Sequence, residues 1–418
     1  MKASASPPPR HEDAATRMRF VVELARRLHQ YGAAAPRLES AIDSVSARLG
    51  LNCNTLSTPT ALILSFTACE QAEDDLSEHT QVIRLSPGDV NLRRMCEVDE
   101  IADRVIAGTL DIAEGSRLLR AIHRRRNVRN RVFTAGSYGI AAAAVAAILH
   151  AAWADVAVAG VIGVLIGAIA LASEGRPRLG ASFEAISAML ATLIATAAGA
   201  WLVPLNVKTV VLAALIVLLP GLSLTTAVRE LSTQHLASGV ARLAGAMMSL
   251  LKLAFGTLAA SELCKALHCL PLAGPPPPVP GWAEWVALGF GCFSFAVLFQ
   301  AARRDYPLVM ASAALGYIVA YYASSAFTPN FGVFLAGLAI GAASNLYARL
   351  AHRPGALVRE PGIILLVPGS VGFRTLSLMF ERDVTLGLDV GFTLVAILVA
   401  LVAGLLFGDL LVAPRRSL

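Results

Sequence analysis

From residue 132 to residue 409 the chain is a succession of ten apolar segments, most near the roughly 20 residues that a bilayer requires. They fall at 132–150, 153–173, 183–203, 207–222, 238–260, 283–301, 307–325, 330–348, 362–378 and 387–409. No other feature constrains the fold as much. Lipid cannot satisfy backbone N–H and C=O groups, so a spanning segment must close its own hydrogen bonds, and helices of this length do so. The whole chain is 56% hydrophobic and 15% charged, against about 25% charged in an average soluble domain. The fold class is therefore mainly α, a polytopic membrane protein of about ten transmembrane helices.

Two of the segments are broken by Pro-Gly, at Pro220-Gly221 and Pro368-Gly369. Proline removes a helix hydrogen bond and glycine tolerates the turn that follows. At membrane depth such a break survives where protein or a wet cavity surrounds it. The two prolines stand 148 residues apart, and moving Val132 by that interval reaches residue 280, near the sixth span. Each half then holds five spans with its break in the fourth. An odd number inverts the second half, so the spacing predicts a 5+5 inverted repeat of modules 131–265 and 283–412, joined by a Pro-rich external linker over 266–282. The linker contains Gly274 to Pro280, a stiff extended run.

Ahead of the spans, residues 1–16 read as a disordered tail and 17–130 as a small cytoplasmic α+β domain. Phe20, Val21, Leu24, Ala25 and Leu28 recur at helical spacing, as do Leu38, Ala41, Ile42, Val45 and Leu49 after Pro36. Thr60 to Phe66 and Gln81 to Leu85 read as two strands around an acidic turn, and helices follow at 91–107 and 111–126. Seven arginines from Arg117 to Arg131, among them Arg124, Arg125, Arg126 and Arg129, precede the first span. Eleven basic residues from Arg176 to Arg416 fall in loops on the same side, against Lys208, Lys265, Arg374 and Arg382 opposite. By the positive-inside rule both ends are cytoplasmic. The net charge of +6 is spread between spans and does not point to nucleic acid.

No nucleotide-binding loop, zinc-protease motif or serine elbow occurs, so no catalytic residue, metal or cofactor is expected. Polar groups at membrane depth remain. Ser223, Thr225, Thr226 and Glu230 follow the first break; Ser370, Arg374, Thr375 and Ser377 follow the second. A half-helix starting at each break would offer free N–H groups and a positive dipole end to a substrate carboxylate. Pro220, Gly221, Ser223, Thr225, Thr226, Pro368, Gly369, Ser370, Arg374 and Thr375 are the expected substrate site. Glu230 and Lys252, costly charges in apolar surroundings, are the expected proton-coupling pair. Asp389 and Asp409 read as interfacial. Cys264 and Cys269 either pair or stay free. The G-x-x-x-G pairs Gly163/Gly167, Gly337/Gly341 and Gly404/Gly408 read as close helix contacts.

Several stretches together resemble one family. They include L-H-Q-Y-G-A-A-A-P-R-L-E, S-T-P-T-A-L-I-L-S-F, L-L-P-G-L-S-L-T-T-A-V-R-E-L, A-I-G-A-A-S-N-L-Y-A-R and L-V-P-G-S-V-G-F-R-T-L, within Arg19 to Val412. The chain is similar to the threonine/serine exporter family. That resemblance implies a multi-pass bacterial-type inner-membrane transporter exporting threonine and serine by proton antiport. A related two-subunit group implies a dicarboxylate such as succinate as the alternative. A third reading makes residues 17–130 a membrane-anchored sensor or enzyme. Similar sequences often carry Asn and Asp where this chain has Thr226 and Glu230. The implied partners are a small carboxylate-bearing substrate, protons and the bilayer, with a homo-oligomer left open.

Overall fold

The computed structural model describes residues 14–68, 79–122, 128–269, 277–381 and 383–414. Residues 1–13 of the tail, the acidic turn, Arg124 to Arg126, the side chain of Arg129, residues 270–276 of the Pro-rich linker, Arg382, Arg415 and Arg416 lie outside the described residues.

The first unit has helices α1 (Ala14–Gln30) and α2 (Ala35–Arg48), strands β1 (Leu51–Thr58), β2 (Ala61–Ala68) and β3 (His79–Arg84), then α3 (Leu92–Ile106) and α4 (Ile112–Ala121). The strands form one antiparallel sheet in the order β1-β2-β3, with Leu56 opposite Ile63 and Leu62 opposite Ile83. Sequence reading finds β2 and β3 but passes over β1. Its L-N-C-N-T-L-S-T has no apolar run, yet Leu51 and Cys53 are buried while Asn52 and Asn54 are exposed, the period-2 alternation of a half-buried strand. The apolar stripes of α1 and α2 meet over this sheet, with Phe20, Leu24, Leu38, Ile42, Leu62 and Leu64 wholly buried. Asn91 and Asp111 cap α3 and α4, accepting from Arg94 N and from Ala113 N and Glu114 N.

The membrane region runs α5 (Val128–Ile148), α6 (Trp153–Ser173), α7 (Pro177–Trp201), α8 (Val207–Ala214), α9 (Gly221–Ser232), α10 (Leu236–Ala266), α11 (Gly281–Leu298), α12 (Tyr306–Ala326), α13 (Pro329–Ala351), α14 (Ala356–Ile364), α15 (Gly369–Phe380) and α16 (Val384–Leu411). Among the described residues, nine helices are long and apolar enough to cross a membrane, with α14–α15 taken as one. They become ten if α8 and the segment Ile216–Ser232, bent by 49°, form one span. The two broken segments extend further than the apolar windows suggested, to Ser232 in one case and from Ala356 in the other. Arg229, Glu230 and Arg359 end those windows in a hydropathy reading. In the fold they are neutralised by partners from other helices and stay helical.

Glycine sets the closest helix contacts. A Cβ on Gly163 would stand 2.7 Å from Tyr138 O of α5, and one on Gly408 2.9 Å from Gly341 Cα of α13. The G-x-x-x-G faces of α13 and α16 are therefore opposed, as small-residue packing in lipid requires. Cys264 and Cys269 are both free thiols.

One turn is built twice. L-H-A-A-W-A-D over 149–155 joins α5 to α6, and F-Q-A-A-R-R-D over 299–305 joins α11 to α12. His150 and Gln300 both take left-handed φ, 53° and 52°. Leu149, His150 and Ala151 donate to Val145, Ala147 and Ala146, and Phe299, Gln300 and Ala301 donate to Phe295, Val297 and Ala296, a helix-closing pattern that also ends α9 at Gln234 and α10 at His268. Each turn ends in a buried aspartate that holds the loop before a broken segment. Asp155 accepts from Asn206 N at 2.9 Å, and Asp305 takes both arms of Arg353 at 2.6 and 2.9 Å. The turns lie at opposite ends of α11. Val279 N, just before that helix, bonds Ala151 O, while Phe299 closes its other end. The 18 residues of α11 separate them by about 27 Å.

The small domain is seated on the Phe299 end. Leu92 N and Arg93 N donate to Phe299 O and Gln300 O, and Asn91 Nδ2 reaches Gln300 Oε1 at 2.7 Å. Leu92, Met95 and Cys96 pack with Phe295, Phe299 and Leu357. Burial there pushes the Cys96 thiol up to about 11. A second seat is Glu230, which is fully buried. Its carboxylate accepts from Ala35 N at 3.0 Å, from Ser238 Oγ at 2.9 Å and from both arms of Arg242 at 3.1 Å. Beside it, His235 Nε2 lies 3.2 Å from Glu39. Burial raises Glu39 above the usual carboxylate range, and burial lowers His29, with Arg242 adding to that effect. Glu230→Ala would leave Arg242 without its counter-charge, costing about 3 kcal/mol. Thermal unfolding in detergent should show that loss, together with faster protease cutting between the domain and α5.

Candidate functional site

Each Pro-Gly break is made the same way. Pro220 has φ −78° and ψ 42°, Pro368 has φ −82° and ψ 37°, and each is followed by a twelve-residue helix beginning at the glycine. Before the first, α8 tightens into a 3-10 turn at Ile216–Leu218; before the second, α14 ends at Ile364. The Pro-Gly pairs meet. A Cβ placed on Gly369 would lie 3.2 Å from Gly221 Cα and 3.1 Å from Leu219 Cβ, and one on Gly221 would run into Val367. Leu219 and Val367 close the junction in this structure. Any side chain at either glycine would force the two turns apart.

This brings the N-termini of α9 and α15 to one point. Each carries roughly half a positive charge and several N–H groups without helical acceptors, so an anion there gains from both helices. Thr225 lies four residues into α9. It is 1% exposed, and its Oγ1 makes no hydrogen bond. A buried hydroxyl left so costs about 1–3 kcal/mol, and a ligand acceptor would recover it. Ser223, Thr226 and Ser370 are half-buried around the junction. Thr375 is buried, but its Oγ1 is taken by Val371 O at 2.9 Å. Arg374 is exposed on the flank of α15 and is not among the groups gathered at the breaks. Ser377, further along α15, has a buried Oγ without a partner.

Neither charge expected for proton coupling sits at the junction. Glu230 is the docking seat described above. Lys252 on α10 donates to Ala181 O at 3.0 Å and stands 3.7 Å from Glu184 of α7. The sequence expectation does not include Glu184, although an acid near the start of the third span is the natural counter-ion for a lysine within the fifth. It also puts Asp409 at the interface. In the fold Asp409 accepts from Arg229 at 3.0 Å, from Arg359 at 2.7 Å and from Asn345 at 2.7 Å. That cluster ties α9, α13, α14 and α16 together on the side of the small domain. Arg37 of α2 is half-buried near it. Burial lowers the guanidinium below its ordinary value, while Asp99 and Glu360 oppose that shift. Asp389 is exposed, as an interfacial residue would be. A separate cleft of about 420 Å³ lies between α3 and the α13–α14 turn, away from the breaks, with Arg104, Arg304 and His352 among its lining residues.

Comparison with known proteins agrees with this architecture. A threonine/serine exporter family model matches residues 19–264, and a second threonine/serine exporter model matches residues 284–411. Among curated proteins, the pheromone-regulated membrane protein 10 of Zygosaccharomyces rouxii is 24% identical over 96% of this chain and 43% of its own length. Its namesake in Saccharomyces cerevisiae is 24% identical over 96% of this chain and 55% of its own length, and that of Yarrowia lipolytica 26% over 85% and 30%. The chain thus spans about half the length, or less, of the curated relatives it matches. No solved structure matches it. With both models together covering most of its residues, the chain is a multi-pass membrane protein belonging to the threonine/serine exporter family.

Proposed function

We propose that the chain is a secondary transporter exporting small amino acids, threonine and serine foremost, by proton antiport through alternating access. The carrying observation is the meeting of two broken helices at Gly221 and Gly369, with both positive ends at one point and the unpartnered Thr225 hydroxyl one turn into α9. A zwitterion needs fixed donors for its carboxylate, and the backbone supplies them here at no cost in side-chain ordering. Efflux of labelled threonine and serine from loaded cells or vesicles, with and without a proton gradient, tests this. Gly221→Leu and Gly369→Leu should abolish efflux at normal membrane levels; unchanged efflux would reduce the breaks to loops.

Dicarboxylate export is the second reading, favoured by the meeting of two helix N-termini, one for each carboxylate. If succinate is the cargo, labelled succinate should leave loaded vesicles faster than threonine, and Arg374→Ala, outside the junction, should change neither efflux markedly. Threonine efflux with no succinate efflux would argue against that reading.

The reading also takes the two halves as an inverted repeat, with the small domain and both termini in the cytoplasm of a bacterial-type cell. The two A-A-x-x-D turns support it, since each ends in a buried aspartate that holds the loop before a broken segment, and they lie at opposite ends of α11. In a background without native cysteines, cysteine at position 150 should label from outside the cell and at position 300 from inside. Labelling of both from one side would contradict the inversion. The domain is read as a regulator of the breaks and not as an enzyme, because its contacts fall on α9 through Glu230 and on the α11–α12 turn.

A further inference from the structure

Four acidic residues of the membrane region are less than a tenth exposed among the described residues: Asp155, Glu230, Glu284 and Asp305. Three have fixed donors. Asp155 accepts two backbone N–H groups, while Glu230 and Asp305 each hold an arginine. Glu284 differs. Its Oε1 accepts from Tyr317 Oη at 2.5 Å, and its Oε2 lies 3.5 Å from His150 Nε2. Both partners are groups that themselves exchange protons. A first-turn glutamate is ordinarily a helix-end charge facing solvent, but this one is 5% exposed and turned towards two other elements.

The surroundings mark the end of the bundle away from the small domain. Trp153 packs on Trp282 at 6.2 Å, Trp285 on Tyr321 at 5.6 Å, and Tyr321 stacks on Tyr317 at 6.2 Å, a collar of the kind found where a bundle meets the membrane surface. The His150 side chain is 54% exposed and links the carboxylate to solution. The titratable groups facing Glu284 are His150 from the α5–α6 turn and Tyr317 and Tyr321 from α12. Of the described charges of neighbouring α5 and α14, Arg131 is held by Leu171 O, Arg359 by Asp409, and Glu360 acts on Arg37 and Arg359.

Tyr317 connects this end to the breaks. Its neighbour Gly316 is where α12 touches α14, since a Cβ there would strike Gly362 O. One turn earlier Ser312 Oγ donates to Val358 O of α14. The helix that leads into Pro368-Gly369 is thus fastened to α12 beside the residue that holds Glu284.

We propose that Glu284 is the proton-loading carboxylate of the export cycle, with His150 as its exchange route to solution and Tyr317 as the positioning residue that passes its charge state to α12 and α14. This rests on the antiport reading above. A proton from solution, relayed by the imidazole, adds to Oε2. The charge-assisted bond from Tyr317 becomes a neutral and weaker one, which loosens α12 against α14. When the carrier opens to the other side, the proton leaves Oε2 for that side, so each turn moves it against the exported substrate and nothing is oxidised or reduced.

The test uses the purified full chain in lipid vesicles with labelled threonine, and succinate in parallel. Glu284→Gln should lose transport driven by a pH gradient while substrate exchange at equal pH persists and no longer varies with pH. Tyr317→Phe should keep proton uptake but weaken its coupling to transport. Gradient-driven accumulation retained in Glu284→Gln overturns the proposal, and so does loss of exchange in a variant with wild-type thermal stability. Infrared difference spectra give a reading independent of transport. A protonated-carboxyl band should appear on acidification and vanish in Glu284→Gln, and its persistence in the variant overturns the assignment. Wild-type protein that moves neither substrate but shows the Glu284 band would sink the export reading and leave the proton site standing.

Discussion

Lipid gives the backbone no hydrogen-bond partner, and the rest of this structure depends on how the chain meets that constraint. Unbroken helices meet it alone. The two Pro-Gly segments do not, and each places its break against the other. Gly221 and Gly369 stand within contact of one another because neither has a side chain. The geometry that protects the broken backbone from lipid also concentrates two positive helix ends where a small anion would benefit. Protection of the breaks and the proposed affinity for a carboxylate would thus be two consequences of one contact.

Charge obeys the same economy. Of the arginines and acids that a hydropathy reading would put in loops, several lie inside the bundle, where each needs an opposite charge or fixed donors. Asp409 gathers Arg229 and Arg359, Asp305 takes Arg353, and Glu230 takes Arg242 together with the first N–H of α2. Most of these sites share the end that carries the small domain, so the electrostatics of the broken helices and the docking of the domain form one network. A change in the domain is felt by α9 directly through Glu230. At the opposite end the charges are sparser, and Glu284 faces proton-exchanging groups in place of an arginine.

Much of this was legible in the residues. The ten apolar segments, the stripes Phe20–Leu28 and Leu38–Leu49, the caps at Asn91 and Asp111 and the matched Pro-Gly breaks all follow from local rules that depend on near neighbours. β1 is hard to read because its alternation is carried by Asn and Thr, and period 2 without an apolar run is a weak signal. The ends of the broken segments are hidden because Arg229, Glu230 and Arg359 look like loop charges until their partners are known. The second copy of the α5–α6 turn is hidden because His150 and Gln300 share a backbone conformation more than a side-chain chemistry.

A membrane protein of about ten helices, a small α+β domain before it and two matched breaks are all set by residue order, because each rests on hydrogen-bond and burial rules within a short stretch. Which polar groups act together is set by long-range packing. It brought Gly221 to Gly369, left Arg374 outside that junction, made Glu230 a seat for the domain, and set Glu284 between Tyr317 and His150. The physical reason is that these relations join residues from about 30 to nearly 200 positions apart. In a low-dielectric interior the fate of a charge depends on which partner is brought within hydrogen-bond reach, and no local pattern encodes that.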